Sequence, residues 1–157
     1  MFKRIASLFL VCLMLFSFAA CGGEEEVKPA PAVDLSAVKA DIVSTLGITA
    51  SDMNQVIMVN MYGLPENGIA ESACFTAPGE VFNEEIFMFK ATDAANADII
   101  EQKLTARLDT LKKQSESYSP ETAAILEKAA VLRNDLYVAF FFSGDREQME
   151  SIYNSHF

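Results

Sequence analysis

Few residues in this chain have the chemistry of a reactive centre. His156 is the only histidine, so a Ser-His-Asp triad or a Cys-His pair would have to be built on it. It falls on the apolar stripe projected for the last helix, where a packing role is expected. The cysteines are Cys12, Cys21 and Cys74. Cys74 lies in a projected strand with no basic residue near it in sequence, and reads as a small buried hydrophobe. Glu84 and Glu85 are adjacent carboxylates. Neighbouring residues of a strand point to opposite faces, so the two cannot act together on one substrate atom. The sequence has no Cys-x-x-Cys, no histidine pair at helical spacing, no Asp-rich calcium loop, no P-loop and no Gly-x-Gly-x-x-Gly. No catalytic residue, metal ligand or cofactor is assigned on these grounds. The run Phe140-Phe141-Phe142 reads as core rather than as a ligand groove.

Cys21 sits in a different setting. Met1–Arg4 is a short basic head, and Ile5 to Phe18 is an apolar run. At about 14 residues it has the length of a signal peptide. A spanning helix needs roughly 20 residues. Phe18-Ala19-Ala20-Cys21 follows, with Gly22 behind it. This resembles a lipobox: Phe18, Ala19, Ala20 and Gly22 form the stretch read by the signal peptidase, and the Cys21 thiol takes the lipid. Phe18 stands where leucine is usual. Residues 1–20 are therefore expected to be a removable lipoprotein leader, with the cut just before Cys21. A diacylated cysteine anchors stably, since each buried CH₂ is worth about 0.8 kcal/mol. The expected location is the outer face of the cytoplasmic membrane.

Residues 21–33 carry Gly22-Gly23, Glu24-Glu25-Glu26 and spaced prolines, the composition of a flexible tether. Residues 34–157 are the size of one domain with one core. Cys74 is the only cysteine in that stretch, so the domain can close no internal disulfide. The formal net charge is −10 over 157 residues. Loss of Lys3 and Arg4 with the leader would take it to about −12. Such a surface repels nucleic acid and anionic headgroups, and no nucleic-acid partner is expected.

The elements that must carry these residues follow from periodicity. Asp34 caps a helix to about Leu46, with Leu35, Val38, Ile42 and Leu46 on one face and Gly47 as its stop. Ser51 or Asp52 is expected to cap a second, short helix through about Met61. Its stretch Val56-Ile57-Met58-Val59 is equally compatible with a strand. Ile69–Thr76 and Glu84–Ala91 read as strands, with Ala77–Asn83 connecting them. The second is apolar on both faces, as in a covered central position. Asp93 caps the longest helix, to about Glu116, with the stripe Ala97, Ile100, Leu104, Leu108 and Leu111. Ser119-Pro120-Glu121 opens a further short helix. Val131–Arg133 and Leu136–Phe142 form a hairpin through Asn134-Asp135. Asp145 starts a last helix with Met149, Ile152, Tyr153 and Phe157 inward. The fold class is α+β: an antiparallel sheet of about four strands with packed helices. A weak echo between Ile86–Ile100 and Val138–Ile152 suggests two helix–hairpin–helix halves.

From Asp34 to Phe157 several short motifs resemble a known family. They are Tyr62-Gly63-Leu64, Glu84-Glu85-Ile86, the long helix, Tyr118-Ser119-Pro120-Glu121 and Tyr137-Val138. Together they are similar to small lipoproteins of Gram-positive, Clostridia-type bacteria that carry domain of unknown function 4358. Glu84 stands where that pattern has Asp, and Thr122 where it has Gln. The resemblance implies export and a similar α+β domain, and no activity.

Anchor, tether and the scarcity of reactive residues point to a non-catalytic binding module at the cell envelope. Its expected partners are the membrane, through lipid on Cys21, and an envelope protein, peptide or small ligand. The rival expectations are a hydrolase working with carboxylates and a cation-binding surface protein.

Overall fold

A computed structural model describes residues 32–79 and 82–157. The leader, Cys21 and its flanking residues, and the tether up to position 31 lie outside the described residues. The described elements, in chain order, are α1 (Leu35–Leu46), β1 (Ser51–Met53), α2 (Gln55–Tyr62), β2 (Ile69–Pro78), β3 (Asn83–Ala91), α3 (Ala94–Tyr118), α4 (Pro120–Lys128), β4 (Val131–Asn134), β5 (Tyr137–Phe142) and α5 (Arg146–Asn154), with a single 3₁₀ turn at Glu66–Gly68. The strands form one antiparallel sheet of five, ordered β1-β2-β3-β5-β4. The class is α+β as expected, with one strand more.

That extra strand is β1. Ser51 and Asp52 were natural capping residues, but Asn54 caps α2 instead, its side chain accepting from the Ile57 amide at 3.0 Å. Residues 51–53 are thereby free to pair with Cys74–Thr76 at the sheet edge. The other caps follow the sequence. Asp34 accepts from Ser36 and Ala37, Asp93 from Asn96, and Ser119 from Thr122. Gly47 and Gly63 end α1 and α2 in the left-handed region, at φ of 64° and 65°, where a side chain would be strained.

β3 and β5 lie side by side at the centre, with Phe87 opposite Phe140. Alternation sends their side chains to opposite faces, and both faces are covered. Cys74, Phe87, Phe89, Val138, Phe140 and Phe142 pack beneath α2, α3 and α4, reached through Met58, the α3 stripe Ala97-Ile100-Leu104-Leu108-Leu111, and Leu126. Ala73, Phe75, Ile86, Met88, Tyr137, Ala139 and Phe141 pack beneath α1 and α5, reached through Leu35, Val38, Ile42, Met149 and Tyr153. The unbroken apolar runs in β3 and β5 follow from this: no position in either run faces water.

Val33, placed in the tether by composition, belongs to the domain. It is buried, and its amide donates to the Tyr137 hydroxyl at 2.9 Å. The helix–hairpin–helix order of the two halves holds along the chain, with β1 and α2 set into the first. The helix after β3, however, covers one face of the sheet, and the helix after β5 covers the other. A two-fold axis relating adjacent antiparallel strands would keep both helices on one face, so the halves are not related by such an axis.

Candidate functional site

One end of the sheet carries a two-lobed concavity. There the β2–β3 connection meets the loop after β5 and the side of α4. Pro78, Gly79, Phe82 and Glu84 come from the connection, Gly144 and Asp145 from the loop, Ile125 from α4 and Ile48 from the segment after α1. Together they line a cleft of about 450 Å³. A second lobe of about 390 Å³ shares Ile125, Gly144 and Asp145 and runs on along Ala124, Lys128 and the first turn of α5.

Local chemistry explains how each part is held. The Gly79 amide donates to the Phe82 carbonyl at 3.1 Å and closes the β2–β3 turn. A Cβ at Gly79 would lie 2.5 Å from that same carbonyl oxygen, so the close approach demands glycine. The Phe82 ring stacks on Phe142, centroids 4.1 Å apart and nearly parallel, which ties the connection to the end of β5. Glu84 is 8% exposed, and its Oε1 accepts from the Gly144 amide at 3.1 Å. The Ser143 hydroxyl, fully buried, accepts from the Asp145 amide at 3.0 Å and shapes the entry to α5. The result is an apolar-walled recess with a few placed polar groups, the usual make-up of a ligand site.

On the α3 face lies a second polar cluster. Glu85 points there, opposite to Glu84, and receives two hydrogen bonds from Arg107: Nε to Oε2 at 3.1 Å, and Nη2 to Oε1. The guanidinium also lies over the Tyr62 ring, 5.6 Å from its centroid. Burial, and then the Glu85 charge, push the Tyr62 phenol above its ordinary range, while Arg107 pulls it back. The hydrogen bond to Glu85 raises the Arg107 pKa further. Every charge here is answered by a neighbour, as in a structural clasp. The separation of Glu84 from Glu85 is the one strand alternation requires.

The remaining sequence candidates are scattered. The Cys74 thiol is buried on the α3 face, donates weakly to the Met88 carbonyl at 3.7 Å, and is pushed up by burial to about 12. A thiol so held is a packing group. His156 lies beyond the end of α5, not on its apolar stripe, and its Nε2 meets Asp41 Oδ2 of α1 at 2.9 Å. Phe140, Phe141 and Phe142 are core. Among the described residues no group of three or more His, Cys, Asp or Glu is placed to hold a metal ion, and no helix is long and apolar enough to cross a membrane.

Residues 47–143 match the family "Domain of unknown function (DUF4358)". The chain belongs to this family. No curated protein and no solved structure matches it. The DUF4358 segment takes in all five strands and α2, α3 and α4. It stops just short of Gly144 and Asp145, so the cleft combines residues inside the DUF4358 segment with two that follow it. Two of the motifs that carried the resemblance have a physical reading here. Tyr62-Gly63-Leu64 turns α2 back so that Tyr62 packs on Phe87, centroids 5.2 Å apart, and Leu64 is buried. Tyr137 opens β5, and its hydroxyl holds the backbone of Val33. The cleft residues Ile48, Phe82, Ile125 and Gly144 were not singled out in the sequence. The Pro78-Gly79 and Gly144-Asp145 pairs were the only local marks of the turns that bring them together.

Proposed function

We propose that this protein is an exported lipoprotein, cut before Cys21 and held by acyl chains on that cysteine at the outer face of the cytoplasmic membrane, where its DUF4358 domain works as a binding module. The observation that carries the anchor is the order of basic head, apolar run and Ala19-Ala20-Cys21-Gly22. The binding role is supported by the end-of-sheet cleft, which Ile48, Pro78, Phe82 and Ile125 line together with the buried Glu84. It is supported further by the fate of the residues best suited to nucleophilic catalysis. Cys74 is shut inside the core, and His156 is engaged with Asp41.

One experiment tests the anchor. A labelled fatty acid enters the wild type in growing cells, whereas Cys21→Ala takes up none. Equal labelling of both chains refutes the assignment. The cleft is tested separately by Ile125→Glu, which places a charge on a wall shared by both lobes. Material cross-linked to the wild type in intact envelopes is lost from this variant if the cleft is the site. Its retention moves the binding surface elsewhere.

A further inference from the structure

Glu84 is unusual within the cleft. It is 8% exposed, yet none of the salt bridges among the described residues involves it. Its one hydrogen bond there is the Gly144 amide on Oε1. An ionised carboxylate offers roughly four acceptor positions. A buried charge is ordinarily paired or hydrogen-bonded on most of them, because leaving it otherwise is expensive. The neighbouring carboxylate makes the contrast plain. Glu85, one residue on and on the other face, has a dedicated guanidinium in Arg107. Glu85 is thus held by a cation of the domain itself. At Glu84 no cation is in place among the described residues. The adjoining lobe holds two cations: Arg146 is engaged with Glu147 and Glu150, and Lys128 is exposed and makes no salt bridge with Glu84. Asp145, on the wall of the same cleft, brings a second negative charge rather than a positive one.

Neither Glu84 oxygen is both buried and without a hydrogen-bond partner, so Oε2, which Gly144 leaves free, is open to the cleft, and the surroundings limit what could pair with it. Ile48, Pro78, Phe82 and Ile125 line the same cleft with apolar surface, and the donor set is too small for a metal ion, which would call for several more oxygens. We propose that the cleft receives a primary ammonium group carried on an apolar stem. Glu84 accepts from the ammonium, Asp145 adds to the attraction, and the stem lies against the apolar walls. This inference rests on the reading of the cleft as a binding site and narrows it to a chemical class. The same chemistry is offered by a free alkyl amine and by a lysyl side chain of a peptide.

The Gly144 amide is a built-in reporter, since its hydrogen bond ends on the carboxylate in question. The full chain in detergent micelles, labelled with nitrogen-15, is titrated at pH 7 with n-pentylamine, with 1-pentanol, and with N-acetyl-lysine methylamide. Pentylamine is expected to shift the Gly144 resonance to saturation, with pentanol at least tenfold weaker. Glu84→Gln keeps an acceptor for Gly144 and removes the charge, so it should weaken pentylamine at least tenfold. Tighter binding of the lysine compound than of pentylamine assigns the ammonium to a peptide; weaker binding assigns it to a small amine. Pentanol binding as tightly as pentylamine overturns the inference and leaves the cleft as an apolar site. Saturation by none of the three overturns both the inference and the cleft reading. Should Glu84→Gln not fold, the amine-against-alcohol comparison on the wild type decides the matter alone.

Discussion

Replacing Phe140 by alanine should bring this domain close to unfolding. Phe140 is fully buried in β5, with Phe87 opposite it on one side and Val131 on the other. Its ring lies 5.9 Å from that of Phe87, tilted by 45°. Burial of such a side chain is worth about 1.5–3 kcal/mol, and the aromatic pair adds about 0.5–1.5 kcal/mol. Cover on both faces of the sheet leaves the neighbours little room to collapse into the hole. The cost should therefore approach the usual range for such a truncation, about 3–5 kcal/mol. A domain of this size has only about 5–15 kcal/mol in hand. In a urea melt of the chain from Ala32 onward, with a slope of about 2 kcal/mol per molar, a loss of about 4 kcal/mol lowers the midpoint by about 2 M. Phe157→Ala is the control: that ring is 38% exposed and should move the midpoint far less. If Phe140→Ala melts like wild type, the side chain faces water, and the Phe-rich run is a binding surface instead of core.

Two further outcomes follow from groups already described. Cys74 should resist bulky thiol reagents in the folded protein, because burial raises its pKa from 9.0 to about 12. The folded chain then holds a proton that the unfolded chain gives up, so stability falls as pH rises from about 9 towards about 12. The urea midpoint of wild type should drop more between pH 8 and pH 10 than that of Cys74→Ala, and the reverse order would sink the reasoning. Arg107→Ala strands Glu85, whose side chain is 13% exposed, at a cost of about 1–3 kcal/mol in thermal or chemical melts. Arg107→Lys recovers only part of this, since an ammonium cannot make the two-pronged contact. Arg107→Ala should also push the Tyr62 phenol still higher in a spectrophotometric titration, and an unchanged titration would count against the cluster.

Legibility in the sequence followed the reach of each interaction. The α3 stripe and the apolar runs of β3 and β5 were readable because one periodic segment records its whole environment. The caps at Asp34, Asp93 and Ser119 were readable because they act within three residues. β1 was not, since three mostly exposed residues carry no alternation and are a strand only because Cys74–Thr76 lies alongside. Val33 was lost for a similar reason: its partner, Tyr137, is at the far end of the domain sequence. The cleft was least readable of all. Ile48, Phe82 and Gly144 come from three separate connections and Ile125 from the side of α4, and the partner of Glu84 is a backbone amide, which leaves no mark in residue type.

The seam between β3 and β5 also bears on how the chain reaches this fold. The β2–β3 and β4–β5 hairpins are local and can close early, but the seam joins stretches separated by the whole of α3 and α4. Non-local pairing of this kind slows folding. Until it forms, each hairpin bares a central strand that is apolar on both faces and has one row of unpaired N–H and C=O groups, and an isolated hairpin is marginal in water. Such a species is a template for pairing with another molecule of the same chain. The finished sheet offers no comparable template, since its outer strands β1 and β4 are only three and four residues long. The danger of aggregation is therefore concentrated in the interval before Phe87 meets Phe140, and conditions that lengthen that interval should cost yield without touching the stability of the native state.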